Sequence, residues 1–202
     1  MNAPRLLEQF VDTFHRYEPV LTRGELPVHD EAFRSEIEAL LLTPWKEWGW
    51  AEWRPRRIDT PATAMEPLRR RVGGPLPPLY EELVRHYAWA TVDLGTFRLV
   101  ENLPPVPASL ERELTDDPVL FRILSTGGFA QFGRGPDVDY DPICFDLRSR
   151  DTDGDCRIVK FSHEDILIWE KLTIVDELAP SFRHLVDDVI QRASRLTRQD
   201  PG

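Results

Sequence analysis

Two runs of alternating aspartates, Asp137-Asp139-Asp141 and Asp151-Asp153-Asp155, have the spacing with which a calcium-binding loop begins. Oxygen ligands at alternate positions can converge on one hard cation, so both frames need testing. In the Asp151 frame, Cys156 stands where the loop needs glycine and Ser162 where it needs its terminal glutamate. Pro142 and Arg148 fill those positions in the Asp137 frame. Without these ligands the aspartates read as a solvated turn and loop, and no metal is expected.

Ser162, His163 and Asp165 contain the residue types of a hydrolytic triad, yet neighbours within one helical turn cannot converge as nucleophile, base and orienting acid. Ser-x-x-Asp before Ile166, Leu167 and Trp169 has a different use, as the capping box of a helix. His15, His29, His86 and His184 show no paired metal spacing. Gly73-Gly74 and Gly133-x-Gly135 lack the lysine or third glycine of a phosphate-binding loop, so no nucleotide cofactor is implied. Trp45, Trp48, Trp50 and Trp53 beside Lys46, Arg54, Arg56 and Arg57 could stack bases and contact phosphates. With a net charge of −10 the chain as a whole repels nucleic acid, so these aromatics are assigned to packing, with a protein-interface hot spot as their second use.

The elements that position these residues follow from periodicity. Pro4 to Tyr17 predicts one amphipathic helix, and Asp30 can cap a second through Leu41. Prolines between Trp45 and Ala64 imply an irregular connection. A short helix through Leu68 and Val72 stops at Gly73, another starts at Pro77 or Pro78 and runs to Tyr87, and strand alternation returns at 96–100. Asp116 and Asp117 open a helix ending at Gly127-Gly128, a strand follows at 129–132, and a last helix begins near Pro180.

Residues 140–165 read as strand, turn, strand and helix start. A three-residue loop Thr152-Asp153-Gly154, with Gly154 in the left-handed conformation, places Phe145 opposite Phe161 and Leu147 opposite Val159 on one apolar face. The other face then pairs Asp146 with Lys160. Cys144 and Cys156 end far apart in this register, and two free thiols are expected.

At 202 residues, with 41% hydrophobic and 30% charged residues, the chain has the balance of a globular α+β protein with a packed core. No signal peptide and no apolar run of bilayer length is apparent, which suggests the cytoplasm and no membrane partner. Residues 111–188 carry 18 acidic against 9 basic side chains, a field that attracts a basic partner.

Three segments together resemble the SUKH superfamily of bacterial toxin-immunity proteins and fungal cell-wall synthesis regulators. They are Val72–Tyr87, with Leu76, Pro77 and Tyr80 in the Leu-Pro-x-x-Tyr pattern; the Asp141–Arg148 strand with its hairpin return; and the last helix with Ser181 and Phe182. The resemblance covers about Ala64 to Arg195 and departs at Ala88-Trp89-Ala90, where members often carry Asn-Gly-Gly. It implies an antiparallel sheet packed against helices in residues 64–202, and the two helices read before it make residues 1–63 an N-terminal helical extension. It also implies a non-enzymatic, protein-binding role with no catalytic residues. The expectation is an immunity protein that neutralises a toxin, with a basic domain as the suited partner, through Asp137, Asp139, Asp141, Asp151, Asp153 and Asp155, with Trp48 and Trp50 at a second contact. A regulatory scaffold using the tryptophan-rich extension and an unrecognised hydrolase are the alternatives.

Overall fold

The computed structural model describes residues 2–22, 31–136 and 139–196. Helix α1 (Ala3–Val11) is capped by Asn2 and buries Leu6, Leu7, Phe10 and Val11. The continuous helix expected through Tyr17 is interrupted: the Thr13 N–H bonds the Phe10 carbonyl, and its hydroxyl takes the same oxygen at 2.6 Å, so α2 (Phe14–Tyr17) starts afresh. Strand β1 (Val20–Thr22) and helix α3 (Glu31–Glu38) follow; the proposed cap Asp30 lies outside the described residues. The connection expected to be irregular holds two short strands, β2 (Trp50–Glu52), paired with β1, and β3 (Arg56–Arg57).

Glycine and proline then punctuate the chain as their backbone chemistry requires. After a 3-10 turn at Ala62–Met65, α4 (Glu66–Val72) ends on Gly73 at φ +87°, a conformation that favours a residue without Cβ. Pro78 opens α5 (Pro78–His86), which runs into β4 (Tyr87–Ala88), the partner of β3. Strands β5 (Val92–Asp93) and β6 (Arg98–Leu99) precede α6 (Ala108–Thr115), a helix not anticipated from its sequence. Asp117 caps α7 (Pro118–Thr126) through the N–H groups of Val119 and Leu120, both at 2.9 Å. The remaining elements are β7 (Phe129–Arg134), β8 (Pro142–Asp146), β9 (Ile158–Phe161), α8 (His163–Trp169), β10 (Ile174–Ala179) and α9 (Phe182–Leu196).

These strands form one six-stranded antiparallel meander, ordered β10-β9-β8-β7-β6-β5, which makes this an α+β fold. Both faces of its centre are covered. On one side Phe132 stacks on Phe145 at 4.2 Å, and both pack around Tyr80 of α5 and Phe182 of α9, with Phe10 of α1 next to Phe182. On the other, Phe129, Cys144, Val159 and Phe161 meet Leu120, Ile123 and Leu124 of α7 and Ile166 of α8. Each fully buried Phe contributes roughly 1.5–3 kcal/mol by removal from water, so the aromatic centre dominates the first layer.

This two-sided burial corrects the hairpin register. Phe145 lies opposite Ile158, Cys144 opposite Val159 and Ile143 opposite Lys160. Phe145 and Phe161 therefore belong to opposite sides of the sheet. Every residue of β8 is buried, so no polar-apolar alternation marks a solvent face, and the alternation argument had nothing to hold. The expected Asp146–Lys160 pair is absent for the same reason: Asp146 binds Arg148 and Arg157, while Lys160 binds Asp139 at 2.7 Å. Leu147 leaves the β8–β9 ladder and donates to the Gly128 carbonyl. Gly154 does adopt φ +79°, inside a connection that runs from Leu147 to Arg157 and is longer than a tight turn. Cys144 and Cys156 are both free and buried; burial pushes the Cys156 thiol up to about 11 and the Cys144 thiol well above its ordinary value.

Candidate interaction surface

The aspartates singled out from sequence separate into two groups, one at each end of β8, and most already have donors. At the start of β8, Asp139 accepts from Lys160 and from the Asp141 N–H, and Asp141 caps α8 through the His163 N–H at 2.7 Å. Burial would raise the Asp139 carboxyl, but the Lys160 hydrogen bond, the Asp141 N–H and the Lys160 charge together outweigh it and hold it below its ordinary value. Asp137 lies outside the described residues.

Beyond the far end, Asp151 accepts from the N–H groups of Asp153 and Asp155, folding the turn on itself. Asp153 is exposed. Asp155, expected at the surface, is instead buried, because its two oxygens take the N–H groups of Phe182 and Arg183 at the start of α9. Of the six acidic positions, Asp153 and Asp151 are the exposed ones among the described residues, with Asp139 and Asp141 half-buried. Trp48 is 86% exposed, and Trp50 is half-buried with the Lys46 ammonium 5.8 Å from its ring centre. Trp53 packs inward and donates its indole N–H to the Glu18 carbonyl, so the tryptophans divide between core and surface.

A different surface stands out. Ser162 caps α8 by accepting from the Asp165 N–H at 3.1 Å, and this start lets the helix bury Ile166 alone among its apolar residues. Leu167, Ile168 and Trp169 face outward, with Ile168 57% and Trp169 71% exposed. The chain then reverses at Glu170, the sole described non-glycine residue with positive φ, and the Ser162 N–H bonds the Thr173 carbonyl to start β10 at the sheet edge. Ile174 and Val175 are exposed there too, so five large apolar side chains between 167 and 175 lie in water. Asp176 and Glu177 continue the strand outward, and Glu177 is reached by Arg157 at 3.3 Å.

In the sequence Leu167 and Trp169 read as the apolar run behind a capping box, which hides this surface. Nothing local distinguishes an inward from an outward face on a seven-residue helix. A cue was available in the crowding of Ile166-Leu167-Ile168-Trp169, more apolar residues than one face of two turns can bury.

A cleft of about 190 Å³ opens on the β5–β6–β7 side of the sheet, where Arg98, Glu101, Glu113, Arg134 and Tyr140 are among its walls. Burial and the neighbouring Glu113 carboxylate push the Glu101 carboxyl up to about 7 against the pull of Arg112, 3.0 Å away. Among the described residues no serine, cysteine or histidine lines this cleft. Elsewhere Ser181 and His184 approach within 2.8 Å, but the same hydroxyl accepts the His184 N–H, which is the geometry of a helix cap. Among the described residues no carboxylate orients the other ring nitrogen, and no group of three or more His, Cys, Asp or Glu is placed to hold a metal ion. No described helix is long and apolar enough to cross a membrane.

The whole defines an α+β protein with an open, apolar sheet edge. No family model matches the chain, and no curated protein matches it either.

Proposed function

We propose that this chain is a non-enzymatic protein-binding module of the immunity type, working in the cytoplasm, whose docking surface is the α8–β10 edge. The observation that carries the reading is the exposure of Ile168, Trp169, Ile174 and Val175 beside a sheet edge that has, among the described residues, no strand on its outer side. Exposed edges and large apolar side chains favour association, and tryptophan is enriched at the energetic centres of protein interfaces.

The occupant best suited to this edge is a basic, partly apolar protein segment. Asp176 and Glu177 sit mid-strand, so a second copy paired two-fold about that point would set like charges opposite one another, whereas lysine or arginine there would be attracted. The net charge of −10 acts in the same direction at longer range and disfavours nucleic acid. SUKH-like element order supports a toxin-neutralising role, with the partner made by the same cell.

The test is co-expression with the polypeptide encoded by the adjoining reading frame. A stable complex is expected, and Trp169→Asp combined with Ile168→Asp should abolish it while the variant unfolds at an unchanged temperature. A complex indifferent to both substitutions would remove the edge from the account. A second reading, a regulatory scaffold, draws on the exposure of Trp48; it requires Trp48→Ala to abolish binding where the α8 variants do not.

A further inference from the structure

Arg98 and Arg134 stand directly opposite each other on β6 and β7. Residues opposite one another in an antiparallel pair project from the same face, so two guanidinium groups share one side of the sheet. Both line the 190 Å³ cleft, and both are half-buried. Neither guanidinium makes a hydrogen bond or ion pair with any described residue. Like charges in this arrangement repel, and an anion between them would relieve that repulsion.

The backbone is adapted to hold them there. β7 carries a bulge between Gln131 and Gly133, and a Cβ on Gly133 would come within 2.8 Å of the Arg98 carbonyl oxygen. Only glycine lets β6 approach so closely, and that approach sets Arg134 against Arg98. Gly135 follows, and a Cβ there would collide with the Asp139 carboxylate that closes the cleft's rim.

Two of the cleft's four carboxylates already have a cation, and among the described residues none makes a direct ion pair with either arginine. Asp139 is held by Lys160, Glu101 by Arg112, and Glu18 accepts the Asp93 N–H at 2.8 Å. Glu113 adds a further negative charge to the lining and raises the Glu101 carboxyl. An entering oxyanion therefore has two planar, multidentate donors before it, and the Tyr140 and Thr91 side chains also line the cleft.

We infer that the Arg98–Arg134 pair is a binding site for the oxyanion group of a small ligand, a phosphate or a carboxylate. This assignment is independent of the α8–β10 surface, which lies at the opposite edge of the sheet.

The experiment is titration of the full chain with inorganic phosphate and, separately, with succinate, at constant ionic strength, following backbone amide shifts and thermal unfolding. Saturable shifts at Gly135 and Thr91 with one or both anions are expected, and the anion that saturates at lower concentration identifies the class. Arg98→Gln and Arg134→Gln should each weaken binding about tenfold or more, the loss of a charge-assisted contact. Arg122→Gln, on exposed α7 away from the cleft, should leave binding unchanged. Without anion, both cleft variants should unfold at or above the temperature of the unsubstituted chain, because a repulsion has been removed. Absence of saturation with both anions overturns the inference, as does equal binding in all three variants. A drop in the anion-free unfolding temperature of the cleft variants overturns it too, since the arginines would then be structural.

Discussion

The carboxylate of Asp155 accepts the backbone N–H of Phe182 at 2.9 Å, joining the β8–β9 connection to the first turn of α9. Its second oxygen takes the Arg183 N–H at 3.1 Å, so two of the N–H groups that a helix start leaves unpaired are satisfied from 27 residues away. Phe182 lies among Tyr80, Phe132 and Phe145, and Asp155 thereby fixes the helix that carries a central core ring. Asp155→Ala should destabilise the chain by about 1–3 kcal/mol. Asp153→Ala, at an exposed turn position, should stay within roughly 0.5 kcal/mol of the unsubstituted protein. Urea unfolding of the two variants checks the contrast, and equal effects would contradict it.

Acid stability should depend on Asp146. Burial alone would raise its carboxyl, but hydrogen bonds from Arg148 and Arg157 outweigh that and hold it at about 2 against an ordinary 3.8. A depressed carboxyl favours the folded state above its unfolded value, and the contribution is lost as pH falls from 3.8 through 2. It amounts to about 2 kcal/mol at neutral pH. Asp146→Asn should lower stability at pH 7 and flatten its fall in acid, read by urea midpoints across that range.

Glu101 should act in the opposite sense. Its carboxyl is raised from 4.5 to about 7, so the folded state holds the proton more tightly and stability declines as pH rises between those values. Glu101→Gln should remove this slope and, above pH 7, stabilise the chain by on the order of 1–3 kcal/mol. Unfolding midpoints at pH 5 and pH 8 provide the measurement; a variant with the same pH slope would refute the assignment.

Local signals were legible wherever a single residue terminates an element. Gly73 must take a left-handed conformation, and Asp117 and Ser162 each supply an oxygen to N–H groups two or three positions on, so all three boundaries follow from the side chain itself. The α+β class followed from the same punctuation. Register was illegible because β8 is covered on both sides, and a three-residue displacement moves Phe161 to the face opposite Phe145 without violating any local preference. Asp155 shows the same limit at the candidate surface: in sequence it belongs to an acidic turn, and only the arrival of α9 from 27 residues away buries it. The Arg98–Arg134 pairing likewise joins residues whose proximity depends on β6 and β7 meeting at one register.

Core substitutions provide a direct check of the two layers. Phe145→Ala should cost about 3–5 kcal/mol and loosen Phe132 and Phe182, whose rings it contacts. Phe161→Ala, on the other side, should cost a similar amount but perturb Phe129, 4.6 Å away, and α7. Aromatic side-chain NMR spectra of the two variants distinguish the layers; a shared set of shifted rings would place both phenylalanines on one face.

The docking edge is tested most directly by hydrogen–deuterium exchange of the chain alone and in complex with the polypeptide of the adjoining reading frame. The account predicts slowed exchange confined to the amides of α8 and β10, centred on Ile174 to Glu177. Protection at the Thr152–Gly154 turn or around Trp48, with β10 exchanging as fast as in the free chain, would contradict it.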